Sequence, residues 1–163
     1  MDLARGMSSS REKLDALYKA AVQSYPAYFH YYSQRANILQ ERWFGRKGEL
    51  GEYVQSVLRV PGGEDGQIAY SYIAFNLMQI YWSNELYPKT GLSWSQAKAA
   101  YTIREKRYGL RNKDWNALCK LAIAGLDLQA AKGALQHIGG NWDSQVWKEK
   151  QDFDAAVAWI RAN

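Results

Sequence analysis

The sequence predicts an all-α fold of seven to eight antiparallel helices, and three observations carry the prediction. Apolar residues recur every three or four positions in one segment after another, the period of a helix with one buried face. Those segments open on hydroxyl or acidic residues and close on glycines, the chemistry of helix starts and stops. A convincing strand alternation is missing. Tyr53 to Val60 alternates somewhat, but the helical period fits it equally well.

The first helix opens at Ser9-Ser10-Arg11-Glu12, a capping box in which a hydroxyl accepts an orphan N–H and the glutamate reaches back. Leu14, Leu17, Tyr18, Ala21, Val22 and Tyr25 then share a face, and Pro26 ends the run. A second helix is expected from about Tyr28 to Trp43, stopping near Gly45 and Gly48, and a third from Leu50 to about Leu58. Pro61-Gly62-Gly63 is the strongest loop signal in the chain. Asp65 is placed to cap a fourth helix, Gln67 to Trp82, which is apolar on nearly every side and therefore central. Residues 83–92, with Pro88 and Gly91, read as a connection. Ser93-Trp94-Ser95-Gln96 is a second capping box, opening a fifth helix to about Tyr108. Helices follow at about Lys113–Ala124, Leu128–Ile138 and Gln145–Arg161, separated by Gly125 and by Gly139-Gly140, with Asp143 or Ser144 to cap the last.

The chain has 163 residues, 47% of them apolar and 23% charged, which is enough for one domain with its own core. The expected organisation is a flexible N-terminus over residues 1–8 and a single helical domain over 9–163. One cysteine, Cys119, excludes an internal disulfide and a cysteine-cluster metal site and argues for a reducing compartment, the cytoplasm being favoured. His30 and His137 lack the paired spacing of a helical zinc site. Met1 to Ser10 has no apolar run and does not read as a signal peptide. The apolar stretch from Ile68 to Trp82 is too short and too polar for a membrane span. No nucleophile, metal or cofactor signature is present, so the expectation is a non-enzyme with no cofactor, and the third reading is an enzyme whose pocket gathers His30 or Cys119 with carboxylates remote in sequence.

Residues 113–147 partly resemble one tetratricopeptide unit: Trp115-Asn116-Ala117-Leu118 matches the opening W-x-x-L, and Ala131 and Leu135 fall on its second helix. Cys119, Ala122 and Asp143 depart from the pattern, and it does not continue one period onward, so the unit is single and degenerate. A broader resemblance spans about residues 25–160. Arg42-Trp43-Phe44-Gly45, Gly48-Glu49-Leu50, the tyrosine-rich helix, Cys119 to Gly125, Ile138 to Asp143 and Val146-Trp147 look like an uncharacterised bacterial domain family with tetratricopeptide-like helices. That resemblance implies an all-helical interaction module and carries over no catalytic residue.

Two binding surfaces are expected. The first is an aromatic-lined groove between helices, with Tyr72, Asn76, Gln79 and tyrosines of the second helix, suited to a protein or peptide partner. The alternative is nucleic-acid binding through residues 98–120, where seven basic and two acidic residues hold the whole excess of the +5 net charge. Arg104, Arg107 and Arg111 are its candidate contacts, although at 100° per residue the basic positions scatter around the helix. Arg42 to Lys47 reads as a basic helix end with Trp43 and Phe44 locked into the core, and Trp142 and Trp147 as packing for the last helix. Partner identity and oligomeric state stay open.

Overall fold

The computed structural model describes residues 10–60 and 62–163. The expected flexible segment 1–8, the Ser9 end of the first capping box and Pro61 lie outside the described residues. The described residues form helices and turns, with no strand among them. In chain order the helices are α1 (Arg11–Ser24), α2 (His30–Ile38), α3 (Glu49–Val57), α4 (Asp65–Met78), α5 (Ser83–Thr90), α6 (Trp94–Tyr108), α7 (Asn112–Ala124), α8 (Leu128–Ile138), α9 (Ser144–Trp147) and α10 (Lys150–Ala162).

α4 is the central helix, as its all-round apolarity requires. It buries Ile68, Ala69, Tyr70, Ile73, Ala74, Leu77 and Met78 and packs against α2, α3, α5, α6 and α7. Gly66 lets it meet α3 closely, because a Cβ there would stand 2.5 Å from the Val57 carbonyl oxygen. α7 and α8 form the closest helix pair, and α9 and α10 complete the C-terminal end around them.

The expected caps at Ser10, Ser93 and Asp143 form, but the one expected at Asp65 does not: Asp65 is the first residue of α4, Glu64 holds the cap position without a side-chain hydrogen bond, and the Asp65 carboxylate accepts from Arg107. The Ser10 hydroxyl accepts from the Lys13 N–H, Asp127 from Ala130, and Asp143 from Gln145. Ser93 accepts from Gln96, while the Ser93 N–H, which a capping box would satisfy with a glutamine side chain, donates instead to the Tyr70 hydroxyl at 2.8 Å.

Four element boundaries differ from expectation. α2 stops at Ile38, five residues before Trp43, because Phe44 N–H turns back to the Ile38 carbonyl and Gly45 lies directly against the Leu39 carbonyl. Trp43 is accordingly 52% exposed, not locked in the core. α4 ends at Met78, leaving Trp82 outside it. Residues 83–90, expected as a connection, are helical despite Pro88: Leu86 and Thr90 are buried, and the Tyr87 hydroxyl donates to the Leu121 carbonyl at 2.8 Å. Tertiary anchoring outweighs the proline penalty. The last helix is broken in two at Lys148, whose φ of 64° reverses the chain after the buried Trp147. That indole donates to Asn116 Oδ1 at 2.7 Å and meets Phe153 edge-on, which pins α9 under α7.

Candidate functional site

Two hollows lie at opposite ends of α7. The first, about 130 Å³, is lined by His30, Tyr72, Phe75, Arg104, Arg111, Lys113 and Asp114. Arg104 rises from the buried side of α6 and donates to Asp114 Oδ1 at 2.7 Å, with both side chains almost fully buried. Its guanidinium lies over the Tyr72 ring at 4.4 Å. Lys113 lies over Phe75 at 4.7 Å and donates to Gln145. Each cation thus rests on an aromatic face, which fixes its direction. Asp114 is the third residue of α7. Its other oxygen accepts the Arg111 N–H at 3.1 Å, and the Arg111 guanidinium approaches it to 3.6 Å. The His30 ring meets Tyr72 edge-on at 5.1 Å. Burial and the charges of Arg104 and Lys113 push its pKa below the ordinary histidine value, which favours the neutral imidazole. Three permanent cations against one carboxylate leave this hollow positive, and the α7 N-terminus points its field the same way.

The second hollow, about 550 Å³, runs between the α4–α5 junction, α7 and the α9–α10 break. Gln79, Trp82, Lys120, Ile123, Trp147 and Ala156 are among its walls. It shares Ser83 and Ile123 with a neighbouring hollow that adds Ala124, Leu126 and Trp159. Together they form an apolar groove with Trp82 78% and Leu126 81% exposed on its flanks. The two non-glycine residues with positive φ, among the described residues, are Leu126 (56°) and Lys148 (64°), and both line it. After Gly125 the chain needs a left-handed residue to close α7, a place that favours glycine. Glycine stands one residue earlier for another reason: a Cβ at Gly125 would come within 2.5 Å of the Trp94 ring. Leucine therefore occupies the strained position with its side chain in solvent, where it adds nothing to the core. At the groove floor the Gln79 side-chain nitrogen is buried and makes no hydrogen bond. Lys120 donates to the Val146 carbonyl at 2.8 Å, and burial and Lys148 lower its pKa.

The residues expected from sequence are divided between these places. Tyr72, Arg104 and Arg111 come together in the cationic hollow. Gln79 lines the apolar groove. Asn76, one helical turn from each, donates to Asn37 Oδ1 at 2.8 Å and to the Ser33 carbonyl at 3.3 Å, so it ties α4 to α2. Arg107 is drawn away to Asp65 at 2.5 Å. His30, Lys113, Phe75 and Asp114 were not among the expected site residues. Lys113 was visible only as part of the basic window, and nothing in the sequence ties it to His30, 83 positions earlier.

Cys119 is a buried core residue whose thiol faces the Ala131 carbonyl, and burial pushes its pKa up to about 12. His137, at the α8 end, stacks flat on Trp115 with ring centroids 3.8 Å apart. No helix of the described residues is long and apolar enough to cross a membrane, and no group of three or more His, Cys, Asp or Glu among them could hold a metal ion. Comparison with family models, with curated proteins and with solved structures returns no match.

Proposed function

We propose that the protein is a non-enzymatic interaction module whose apolar groove, between α5, α7 and α10, takes a short amphipathic peptide segment of another protein. The observation that carries this reading is Leu126, an exposed leucine kept at a strained backbone position beside exposed Trp82 and Trp159. Contiguous exposed apolar surface of this kind marks contact with a partner. Tryptophan supplies large contact area at little cost in side-chain freedom. The groove also suggests the polar part of its partner, because Lys120 and Lys148 outnumber Asp152 among its walls. An apolar peptide face with one acidic residue fits that set. The tight α7–α8 hairpin followed by α9 supports the tetratricopeptide-like description of this part of the chain, whose helical pairs commonly present such grooves.

The test uses the purified chain as bait, alongside Leu126→Glu and Trp82→Ala variants, in an extract treated with nuclease at low and high salt. A captured protein is then purified, and its binding segment is titrated calorimetrically against all three baits. The expected result is binding that survives salt, has a negative heat-capacity change and weakens about tenfold or more in Leu126→Glu. Capture that disappears with nuclease or salt, or that is equal for the three baits, overturns the reading.

A further inference from the structure

The basic window of the sequence does not form a track in the fold. Arg107 is held by Asp65, Lys98 by Asp127, and Lys120 by the Val146 carbonyl at the far end of α7. The charges of Arg104, Arg111 and Lys113 instead converge on the one small hollow, with His30 beside them. We propose that this hollow binds the phosphoryl group of a small phosphorylated molecule.

Five features point to that chemistry. The charge is right: Arg104 and Asp114 cancel, and Arg111 and Lys113 leave an excess of two, the charge of a phosphate monoester dianion. The directions are right: the cations come from α6, from the α6–α7 turn and from the first turn of α7, so they surround one point and do not line a strip. Arg104 and Lys113 are already fixed on the Tyr72 and Phe75 rings, so these two lose little side-chain freedom on binding. α7 begins at the same end, so the field of its N-terminus adds to the positive potential. The size is also right. About 130 Å³ holds a few water molecules, or one phosphoryl group in their place, but not a nucleic-acid strand. The neutral imidazole of His30 can donate one N–H to such a group, and a bound dianion favours its second proton.

The chain has only two histidines, His30 and His137, which makes the test direct. Both ring signals are followed by NMR through titrations with inorganic phosphate, phenyl phosphate and benzoate at constant ionic strength. The expected result is a saturable shift of His30 with phosphate, a rise in its titration midpoint, and no change at His137. Phenyl phosphate should bind about tenfold or more tightly than benzoate, which has the same ring and half the charge. Arg111→Gln/Lys113→Gln, two residues outside the buried ion pair, should cost about tenfold or more in affinity with the His137 signal intact. Equal movement of both histidines, equal affinity for benzoate, or an unchanged double variant overturns the proposal. So does displacement of phenyl phosphate by a single-stranded oligonucleotide without terminal phosphates at lower concentration, which would show a polyanion surface. None of these outcomes depends on the groove at the other end of α7.

Discussion

The two ends of α7, 13 residues and so about 20 Å apart, solve opposite problems with the same helix. At the N-terminus charge is concentrated. Arg104, Arg111, Lys113 and Asp114 crowd a small hollow, two of the cations are backed by aromatic rings, and the buried pair is completed by hydrogen bonds. At the C-terminus charge is thinned out. The last carbonyls are satisfied by Tyr87, Gly125, Leu126 and Asp127, and the surface left over is apolar and wide. The difference shows where rigidity comes from. A charged site needs rings and hydrogen bonds around it to hold it, whereas an apolar groove needs only a backbone that keeps its walls apart.

The largest effect tests the first end. Arg104→Ala leaves the buried Asp114 with only the Arg111 N–H and the exposed Arg111 guanidinium, and unfolding by urea should show a loss of about 3–5 kcal/mol. Replacing both residues together, Arg104→Met with Asp114→Leu, should recover most of that loss. If the double variant is as unstable as the single one, the ion pair is not what holds this end.

Next in size is Gly125→Ala. The added methyl group meets the Trp94 ring, which is itself held by a 3.0 Å hydrogen bond to Asp127, and the expected cost is about 1–3 kcal/mol by thermal unfolding. An unchanged Tm would show that Trp94 can move, and that its ring does not fix the α7–α8 turn.

Acid should weaken the C-terminal end of α7. At the C-terminal end Asp127 accepts from Lys98, Ala130 and Trp94, which hold its pKa down at about 2. Glu49, paired with Arg11 on α1, is likewise held at about 2. A carboxylate with a lowered folded-state pKa adds stability that is complete above its unfolded value and is lost as pH falls through the folded one. Stability should therefore decline from about pH 5 towards pH 2, and Asp127→Asn or Glu49→Gln should flatten that decline. A decline as steep in both variants would move its cause elsewhere.

The smallest change in stability is expected at the groove itself. Leu126→Gly relieves a left-handed leucine and Trp82→Ala removes an exposed ring, so each should leave stability within about 1 kcal/mol of the parent chain. If Leu126→Gly destabilises the chain clearly, the leucine has a structural role and loses its value as a sign of binding.

Most of the helices could be read from the sequence, because caps and periodicity are local. Ser10, Ser93 and Asp143 accept the N–H groups that their positions imply, whereas Asp65 enters its helix and pairs with Arg107 across 42 positions. α5 escaped because Pro88 is a strong local signal and its answer, the Tyr87 bond to Leu121, comes from 34 residues away. Half of the expected site residues, Tyr72, Arg104 and Arg111, meet in one hollow, but they had been assigned to two different surfaces. Angular position on a single helix could not show that Arg104 points inward to an acid on the next helix.

By itself, then, the sequence determined an all-helical chain with a central apolar helix and a basic middle segment, since period, capping and charge are properties of neighbouring residues. Only the tertiary structure decided which charges are spent and which remain. Asp65, Asp114 and Asp127 each take a cation that is distant in sequence or lies across a turn, and that pairing turns a scattered basic window into one small positive hollow at the start of α7. Coulomb interactions act through space, so their outcome waits on the packing of the helices.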